Sequence, residues 1–220
     1  MNKRVYISVS SDPVKEYHGV VEYAKELQDV ADFLHCDIMD GKFVERITYN
    51  AQLVKNINEN SLIALDVHLM CNEPLAMIDD YLSAGANIIT VHYEAFKDKR
   101  QIVEAINKIK KGRALAGISF KPSTKLKDLK VFLYDVDVVL VMSVAPGESG
   151  QKFMPESLDN IRELNRIRNE NSFKFKIEVD GGINKSNAKE IIEAGADMLV
   201  SGSYVFKEED KKNAIKALRG

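Results

Sequence analysis

Residues 173–182 read FKFKIEVDGG, and this alternation of apolar and polar side chains decides the fold. In a β-strand, alternate residues lie on opposite faces. The apolar face consists of Phe173, Phe175, Ile177 and Val179, and the polar face of Lys174, Lys176, Glu178 and Asp180. An aromatic and β-branched face is typical of a strand covered by helices, while the other face of such a strand lines the lumen of a barrel. The stretch therefore predicts that Asp180 faces the lumen at the C-terminal rim, where barrel enzymes place their chemistry.

Short β-rich runs like this one alternate along the whole chain with longer amphipathic stretches. Strands are predicted near residues 4–9, 31–39, 62–69, 87–92, 114–119, 136–143, 173–179 and 197–201. Helices are predicted near residues 13–29, 50–59, 74–84, 99–111, 125–132, 156–170, 186–194 and 208–218. Eight such units predict an α/β protein of the (β/α)₈ TIM-barrel type, and the lack of a linker predicts one domain over residues 1–220. A doubly wound sheet is the alternative, but it favours a Gly-rich turn after the first strand, where this chain has residues 10–13, SSDP.

The composition is that of an ordinary globular protein, with 45% hydrophobic and 29% charged residues among 220. A formal net charge of −2 argues against a general binder of nucleic acid or of anionic membranes. The sequence has no long apolar run and no signal-peptide pattern, so we expect no membrane span and no secretion. The two cysteines, Cys36 and Cys71, are predicted to pack between the layers of the barrel, and such sparse use of cysteine predicts a cytoplasmic protein.

Two other strands carry chemically useful side chains on the face predicted to line the lumen. His35 and Asp37 share a face of the second strand, and His68 shares a face of the third with Asp66. Together with Asp180, three of these complete a set of two imidazoles and two carboxylates: His35, Asp37, His68 and Asp180. This set suits one divalent ion such as zinc, iron, manganese or cobalt better than magnesium or calcium, which prefer oxygen ligands. A single His-x-Asp pair is more often a polar contact at the rim, so the prediction of a metal site depends on the coincidence of all four residues.

Asp37 and Asp180 are also predicted to be an acid/base pair. They come from non-adjacent strands across the lumen, so one could remove a proton from a substrate carbon while the other returns a proton to the opposite face. A metal ion that holds the neighbouring carbonyl oxygen would lower the barrier to removing that proton. The alternative is that both carboxylates serve only as ligands.

Glycine-containing loops follow the last two predicted strands, at the positions where barrels commonly bind phosphate. Gly181-Gly182 follows the seventh strand, and Gly202 and Ser203 follow the eighth. A third loop, Gly147-Glu148-Ser149-Gly150, follows the sixth strand and is predicted to cover the same place. These loops predict a cradle for a phosphate group.

Three methionines, Met39, Met70 and Met142, lie near the C-terminal ends of predicted strands. Such residues usually fill a core, but at the rim that carries the predicted ligands they are expected to wall the site and exclude water. His92 and His18 have no partners at matching spacing, so both are interpreted as ordinary polar residues.

Several runs of this sequence resemble the ribulose-phosphate 3-epimerase family. They are HCDIMDG at residues 35–41 followed by Phe43-Val44, LDVHLM at 65–70, EVDGGI at 178–183, VSGS at 200–203, and the strand-six region VMSV, PG and GQKF between 141 and 153. The resemblance implies a (β/α)₈ barrel that interconverts D-ribulose 5-phosphate and D-xylulose 5-phosphate in the pentose phosphate pathway. The implied reaction inverts C3 through a cis-enediolate, and the implied assembly is a homo-oligomer.

The resemblance also assigns roles to residues by position. It implies that the metal ligands are His35, Asp37, His68 and Asp180, with Asp37 and Asp180 as the acid/base pair. Ser8 matches the family's substrate-contacting serine at the end of the first strand. The predicted substrate contacts are Ser8, Met39, His68, Met70, Met142, Gly147, Glu148, Ser149, Gly150, Asp180, Gly181, Gly182, Gly202 and Ser203.

Three departures from the family pattern fall on the loops that enclose the substrate. Ile7 stands where the family usually has proline before Ser8, and Glu45-Arg46 stands where it usually has Pro-Asn. In the strand-six loop, Glu148-Ser149 replaces the usual Phe-Gly. A carboxylate near a dianionic phosphate would weaken binding unless Glu148 points outward or pairs with Arg46 or Lys152. The chemistry is therefore predicted more firmly than the substrate.

Three other functions remain open from the sequence. The altered loops are compatible with an epimerase of a six-carbon ketose phosphate, such as D-allulose 6-phosphate. A non-catalytic sugar-phosphate binder is disfavoured, because binding alone does not require the opposed pair Asp37 and Asp180. A lyase or aldolase of the Schiff-base type would need a lysine at a strand end, and the one candidate, Lys121, precedes Pro122 in a predicted turn.

Overall fold

Eight parallel strands close into a barrel in the computed structural model of this protein, which describes residues 4–220. Each strand pairs with the next in the sequence, and the last pairs with the first. The strands are β1 Tyr6–Ser10, β2 Phe33–Met39, β3 Ala64–Met70, β4 Ile88–His92, β5 Leu115–Phe120, β6 Val138–Met142, β7 Lys176–Asp180 and β8 Met198–Ser201. The predicted (β/α)₈ barrel is confirmed.

Helices cover the outside of the barrel. They are α1 Tyr17–Leu27, α2 Ala51–Asn60, α3 Pro74–Ser83, α4 Lys99–Lys111, α5 Ser157–Glu170, α6 Ala188–Ala194, α7 Ser203–Lys207 and α8 Lys211–Arg219. In α4, the buried residues Ile102, Ala105, Ile106 and Ile109 follow the spacing of one helical face. Asp98 caps that helix by accepting a hydrogen bond from the backbone N–H of Arg100, which satisfies one of its free N-terminal donors.

The predicted alternation of faces holds along the barrel wall. Ile177 and Val179 are fully buried against the helices, whereas Glu178, between them in sequence, is fully buried on the inner side. Strand β7 begins at Lys176, later than predicted, and Phe173 and Phe175 precede it with ring centroids 6.3 Å apart. Cys36 and Cys71 are free thiols in the hydrophobic core, as predicted.

The fifth unit differs from the prediction of a helix at residues 125–132. Two short 3₁₀ turns occupy this region, Leu126–Asp128 and Lys130–Phe132. The buried residues here are Leu126, Leu129 and Phe132, at a spacing of three. Three residues per turn is the period of the 3₁₀ helix, so this geometry aligns all three side chains with the core. In the eighth unit, α7 is a short helix that the sequence did not predict, placed before the predicted α8.

Strand register determines which side chains meet at the rim. Between β2 and β3, His35 lies beside Asp66, Asp37 beside His68, and Met39 beside Met70. Within residues 4–220, no helix is both long enough and apolar enough to cross a membrane.

Candidate active site

Four side chains converge at the C-terminal rim of the barrel, from β2, β3 and β7. One ligand atom from each of His35, Asp37, His68 and Asp180 lies within 4.8 Å of all the others. Oδ1 of Asp37 is 3.0 Å from Nδ1 of His68 and 3.3 Å from Nε2 of His35. The structure therefore brings the four predicted ligands together.

The donor atoms fit a metal ion. Nδ1 of His35 lies 2.6 Å from Oδ2 of Asp66, so the carboxylate accepts the proton on that nitrogen. In the neutral ring that metal binding requires, Nε2 of His35 is then the acceptor aimed at the cluster, and it is buried without a hydrogen-bond partner among the described residues. An unpaired buried acceptor is costly in free energy, and a metal ion beside it would remove that cost.

A second group, formed by His35, Asp66 and Glu178, also has the composition of a metal site. All three are fully buried, and Asp66 is already bonded to His35. Burial, followed by the charge of Asp66, raises the pKa of Glu178 well above its usual range. None of these three residues lines the cavity at the rim, whereas Asp37 and Asp180 of the first group do. The first group is therefore the better candidate.

Electrostatics separate the two catalytic candidates. Burial opposes the charge on Asp37, but the neighbouring His35 and His68 lower the pKa of Asp37 well below its usual range. Burial raises the pKa of Asp180 to about 7, and the negative charge of Asp37 adds to this. Burial opposes the charged form of His35, but Asp66 and Asp37 raise its pKa well above the ordinary value. Asp37 is thus held ionised, whereas Asp180 retains its proton more readily.

A cavity opens above the cluster, and Asp37 and Asp180 form part of its floor. Three methionines, Met39, Met70 and Met142, line it at the strand ends. Loop residues complete the wall, and they include Gly147, Glu148, Ser149, Gly150, Gly181, Gly182, Gly202 and Ser203. Of the predicted substrate contacts, Ser8 and His68 are not among the cavity-lining residues. The hydroxyl of Ser8 is fully buried and donates to Asp66 at 2.8 Å.

The glycine loops approach neighbouring backbone closely at the wall of the cavity. Gly182 has φ +67°, and a Cβ there would collide with the backbone of Phe153. Gly202 immediately precedes the short helix α7, whose first residue is Ser203. Backbone N–H groups at such a position are free to donate to an anion.

Glu148, which lines the cavity, and Arg46 do not pair with each other. Glu148 is exposed. The guanidinium of Arg46 holds both carboxylate oxygens of Asp12, at 2.5 and 2.8 Å. Asp12 is itself buried and lines the cavity near the glycine loops.

Sequence reasoning missed several residues of this region. His92 was interpreted as an ordinary polar residue, but its Nε2 lies 2.9 Å from Nε2 of His68. The signal was present in β4, where Thr90 is aligned with His68 and His92 follows two residues later on the same face. Ser10 and Asp12 also line the cavity, and only their position at the end of β1 and just after it could have indicated this.

The fold and the site together define a (β/α)₈-barrel protein with a metal-type cluster and a cavity lined by glycine loops at the C-terminal rim. A family model, described as the ribulose-phosphate 3 epimerase family, matches residues 5–206. The chain is 39% identical over 197 residues to ribulose-phosphate 3-epimerase of Escherichia coli strain K12, covering 89% of this chain and 86% of that protein. It is 40% identical over 200 residues to ribulose-phosphate 3-epimerase of Bacillus subtilis strain 168, covering 89% and 91%. The chain therefore belongs to the ribulose-phosphate 3-epimerase family, and it is an isomerase.

Solved structures of other barrels share the fold at low sequence identity. The 3-keto-L-gulonate-6-phosphate decarboxylase of Vibrio cholerae superposes with a TM-score of 0.72 at 13% identity, over 99% of this chain and 96% of that one. A mutant tryptophan synthase alpha-subunit from Pyrococcus furiosus gives a TM-score of 0.67 at 17% identity, over 99% and 98%. At these identities the likeness establishes the barrel fold alone.

Proposed function

We propose that this protein interconverts D-ribulose 5-phosphate and D-xylulose 5-phosphate by inverting the configuration at C3. The observation that carries the proposal is the pairing of Asp37 and Asp180, which come from non-adjacent strands, line one cavity and belong to one cluster. Inversion needs a proton removed from one face of a carbon and returned to the other, and two opposed carboxyl groups supply this chemistry. The family and the names of the relatives support the substrate.

The residues that would hold a divalent ion are His35 through Nε2, His68 through Nδ1, Asp37 and Asp180. When bound there, an ion such as zinc, iron, manganese or cobalt supplies positive charge that stabilises the negative charge developing on the substrate's oxygens. The mixed imidazole and carboxylate donors favour this group of metals over magnesium and calcium.

The chain's own groups then divide the work. One aspartate takes the proton from C3. The electron pair of the broken C3–H bond then forms the enediolate of the sugar. The other aspartate gives a proton to the opposite face of C3, and the ketone re-forms. Met39, Met70 and Met142 would exclude water from this intermediate, and the backbone at Gly182, Gly202 and Ser203 would hold the phosphate.

Isotope exchange tests the proposal directly. Metal-loaded protein in D₂O with ribulose 5-phosphate is expected to place deuterium at C3, as followed by NMR. Asp37→Asn and Asp180→Asn should each abolish the exchange, because either change removes one of the two proton carriers. The matched control is Asp159→Asn, which alters an exposed carboxylate on α5. Absence of exchange with any pentulose or hexulose phosphate would refute the epimerase function.

A six-carbon ketose phosphate is the second candidate. Its support is that Arg46 and Glu148 depart from the family pattern on loops expected to enclose the sugar, and that Glu148 lines the cavity. Comparing kcat/KM for ribulose 5-phosphate and D-allulose 6-phosphate would decide between the two substrates. The homo-oligomer, the cytoplasmic location and the single domain stay predictions from the sequence.

A further inference from the structure

A chain of hydrogen bonds leads from His68 away from the cavity. Nε2 of His68 lies 2.9 Å from Nε2 of His92, and Nδ1 of His92 lies 3.2 Å from Oε2 of Glu94. The other oxygen of Glu94 accepts from the backbone N–H of Lys121 at 2.8 Å and from the hydroxyl of Thr124. His92 is fully buried and ends β4, and Glu94 follows it directly in the next turn.

The direction of this chain follows from its last member. Burial opposes the charge on Glu94, but the hydrogen bonds that it accepts, led by that of His92, lower its pKa to about 2. An ionised carboxylate can only accept, so Nδ1 of His92 must carry a proton. A neutral imidazole that donates through one ring nitrogen accepts through the other. Nε2 of His92 is then an acceptor, and Nε2 of His68 must donate to it.

This arrangement determines which nitrogen of His68 faces the cluster. With its proton on Nε2, the ring of His68 presents the lone pair of Nδ1 to Oδ1 of Asp37, 3.0 Å away. Two acceptors at that distance repel each other unless a cation lies between them. Ligands bonded to one ion at about 2.0–2.2 Å stand roughly 3.0–3.5 Å apart, so the observed separation suits two neighbouring ligands.

The ring of His92 is held in place by more than its hydrogen bonds. The ring of Phe43 packs against it, with the two ring centroids 4.8 Å apart. Nζ of Lys121 in turn lies 4.3 Å from the centroid of the Phe43 ring. Because Glu94 also binds the backbone of Lys121, the loops after β2, β4 and β5 converge on His92. His92 therefore has little freedom to rotate and exchange its two nitrogens.

We propose that His92 and Glu94 are positioning residues that direct the Nδ1 lone pair of His68 toward the metal site. This inference rests on the metal site of the proposed function. A carboxylate then orients each of the two histidines of the cluster. Asp66 binds His35 directly, whereas Glu94 acts on His68 through His92. Partners of this kind fix the tautomer of a ligand, and their loss typically weakens metal affinity 10–100-fold.

The first test measures zinc affinity by competition with a chelator, without any assay of activity. Glu94→Gln keeps the size of the side chain but introduces a donor, so it permits the opposite tautomer of His92 and should weaken zinc binding about 10–100-fold. Glu104→Gln, an exposed change on α4, should leave the affinity unchanged. Unchanged zinc affinity in Glu94→Gln would overturn the inference. It would do so even if the melting temperature of the metal-free variant fell, because that result would indicate a purely structural role.

The second test uses the unaltered protein, so it does not depend on a variant that folds. The ¹⁵N NMR shifts of the zinc-loaded protein should report a proton on Nδ1 of His92 and on Nε2 of His68. A proton on Nε2 of His92 would overturn the inference. Failure of the unaltered protein to bind zinc, iron, manganese or cobalt would overturn the proposed metal site, and the positioning role with it. Zinc binding that Glu94→Gln leaves intact would overturn the positioning role alone.

Discussion

Arg46 holds the carboxylate of Asp12, a cavity-lining residue, in a two-point ion pair. Asp12 lines the same cavity as Gly182, Gly202 and Ser203, where the phosphate is proposed to bind. A buried carboxylate close to a phosphate dianion would repel it, and a paired guanidinium offsets that repulsion. Arg46, which departs from the family pattern, is therefore expected to offset the charge of Asp12 at this end of the site.

Arg46→Ala is expected to raise KM for the sugar phosphate about tenfold, with little change in kcat. The physical reason is that Asp12 is left unpaired near the phosphate, and tenfold corresponds to about 1.4 kcal/mol. The measurement is steady-state kinetics at low and high salt, since salt screens the repulsion and should narrow the difference.

The double variant Arg46→Ala/Asp12→Asn is the informative control, because it removes the unpaired charge and should recover most of the lost affinity. Arg100→Ala alters an exposed arginine on α4 and should have no effect. A KM for Arg46→Ala equal to that of the parent protein would refute the role.

Between β5 and β6, the chain forms two 3₁₀ turns where an α-helix was predicted. Leu126, Leu129 and Phe132 all point into the core at a spacing of three residues. The exposed neighbour Val131 faces the other way, with 64% of its surface accessible. The local pattern was compatible with either helix type, and packing against the barrel selects the tighter one.

Phe132→Ala is expected to lower the free energy of unfolding by about 3–5 kcal/mol, because it leaves a cavity where a buried ring packed. Val131→Ala, one residue away, should change it by no more than about 0.5 kcal/mol. Urea unfolding followed by circular dichroism gives both values. Similar losses in the two variants would contradict the burial of Phe132 and the exposure of Val131 in this segment.

Asp32 links segments near the two termini of the chain. Its carboxylate accepts from Arg4 near the start of the chain at 3.1 Å and from Arg219 at the end of α8 at 2.6 Å. It also accepts the backbone N–H of Ile7 in β1 at 2.9 Å. One side chain therefore joins the first strand, the loop before β2 and the last helix.

This tie should make stability depend on pH. Burial opposes the charge on Asp32, but the bonds from Ile7, Arg219 and Arg4 lower its pKa below the usual value. A carboxyl with a lowered pKa in the folded state stabilises the fold above its unfolded-state pKa of about 4, and this contribution disappears as the pH falls through the folded value.

The prediction is that Asp32→Asn is less stable than the parent at pH 7 and that the difference shrinks as the pH falls below about 4. Urea midpoints measured across this range give the comparison. Asp29→Asn, which alters another carboxylate in the loop after α1, should show no such pH-dependent difference. If the urea midpoints of Asp32→Asn and the parent protein differed by the same amount at all pH values, the charge of Asp32 would be excluded as the cause of the difference.

The sequence by itself determined the barrel, the inward direction of His35, Asp37, His68 and Asp180, and the glycine loops beside them. These follow from local facts, because the alternation of a strand sends side chains to known faces, and parallel strands bring their C-terminal ends to one rim. Only the tertiary structure decided that His92 bonds to His68, that Arg46 pairs with Asp12 rather than with Glu148, and that residues 126–132 form 3₁₀ turns. Each of these depends on distances between residues far apart in sequence, which are set by strand register and loop packing rather than by the residues' own spacing.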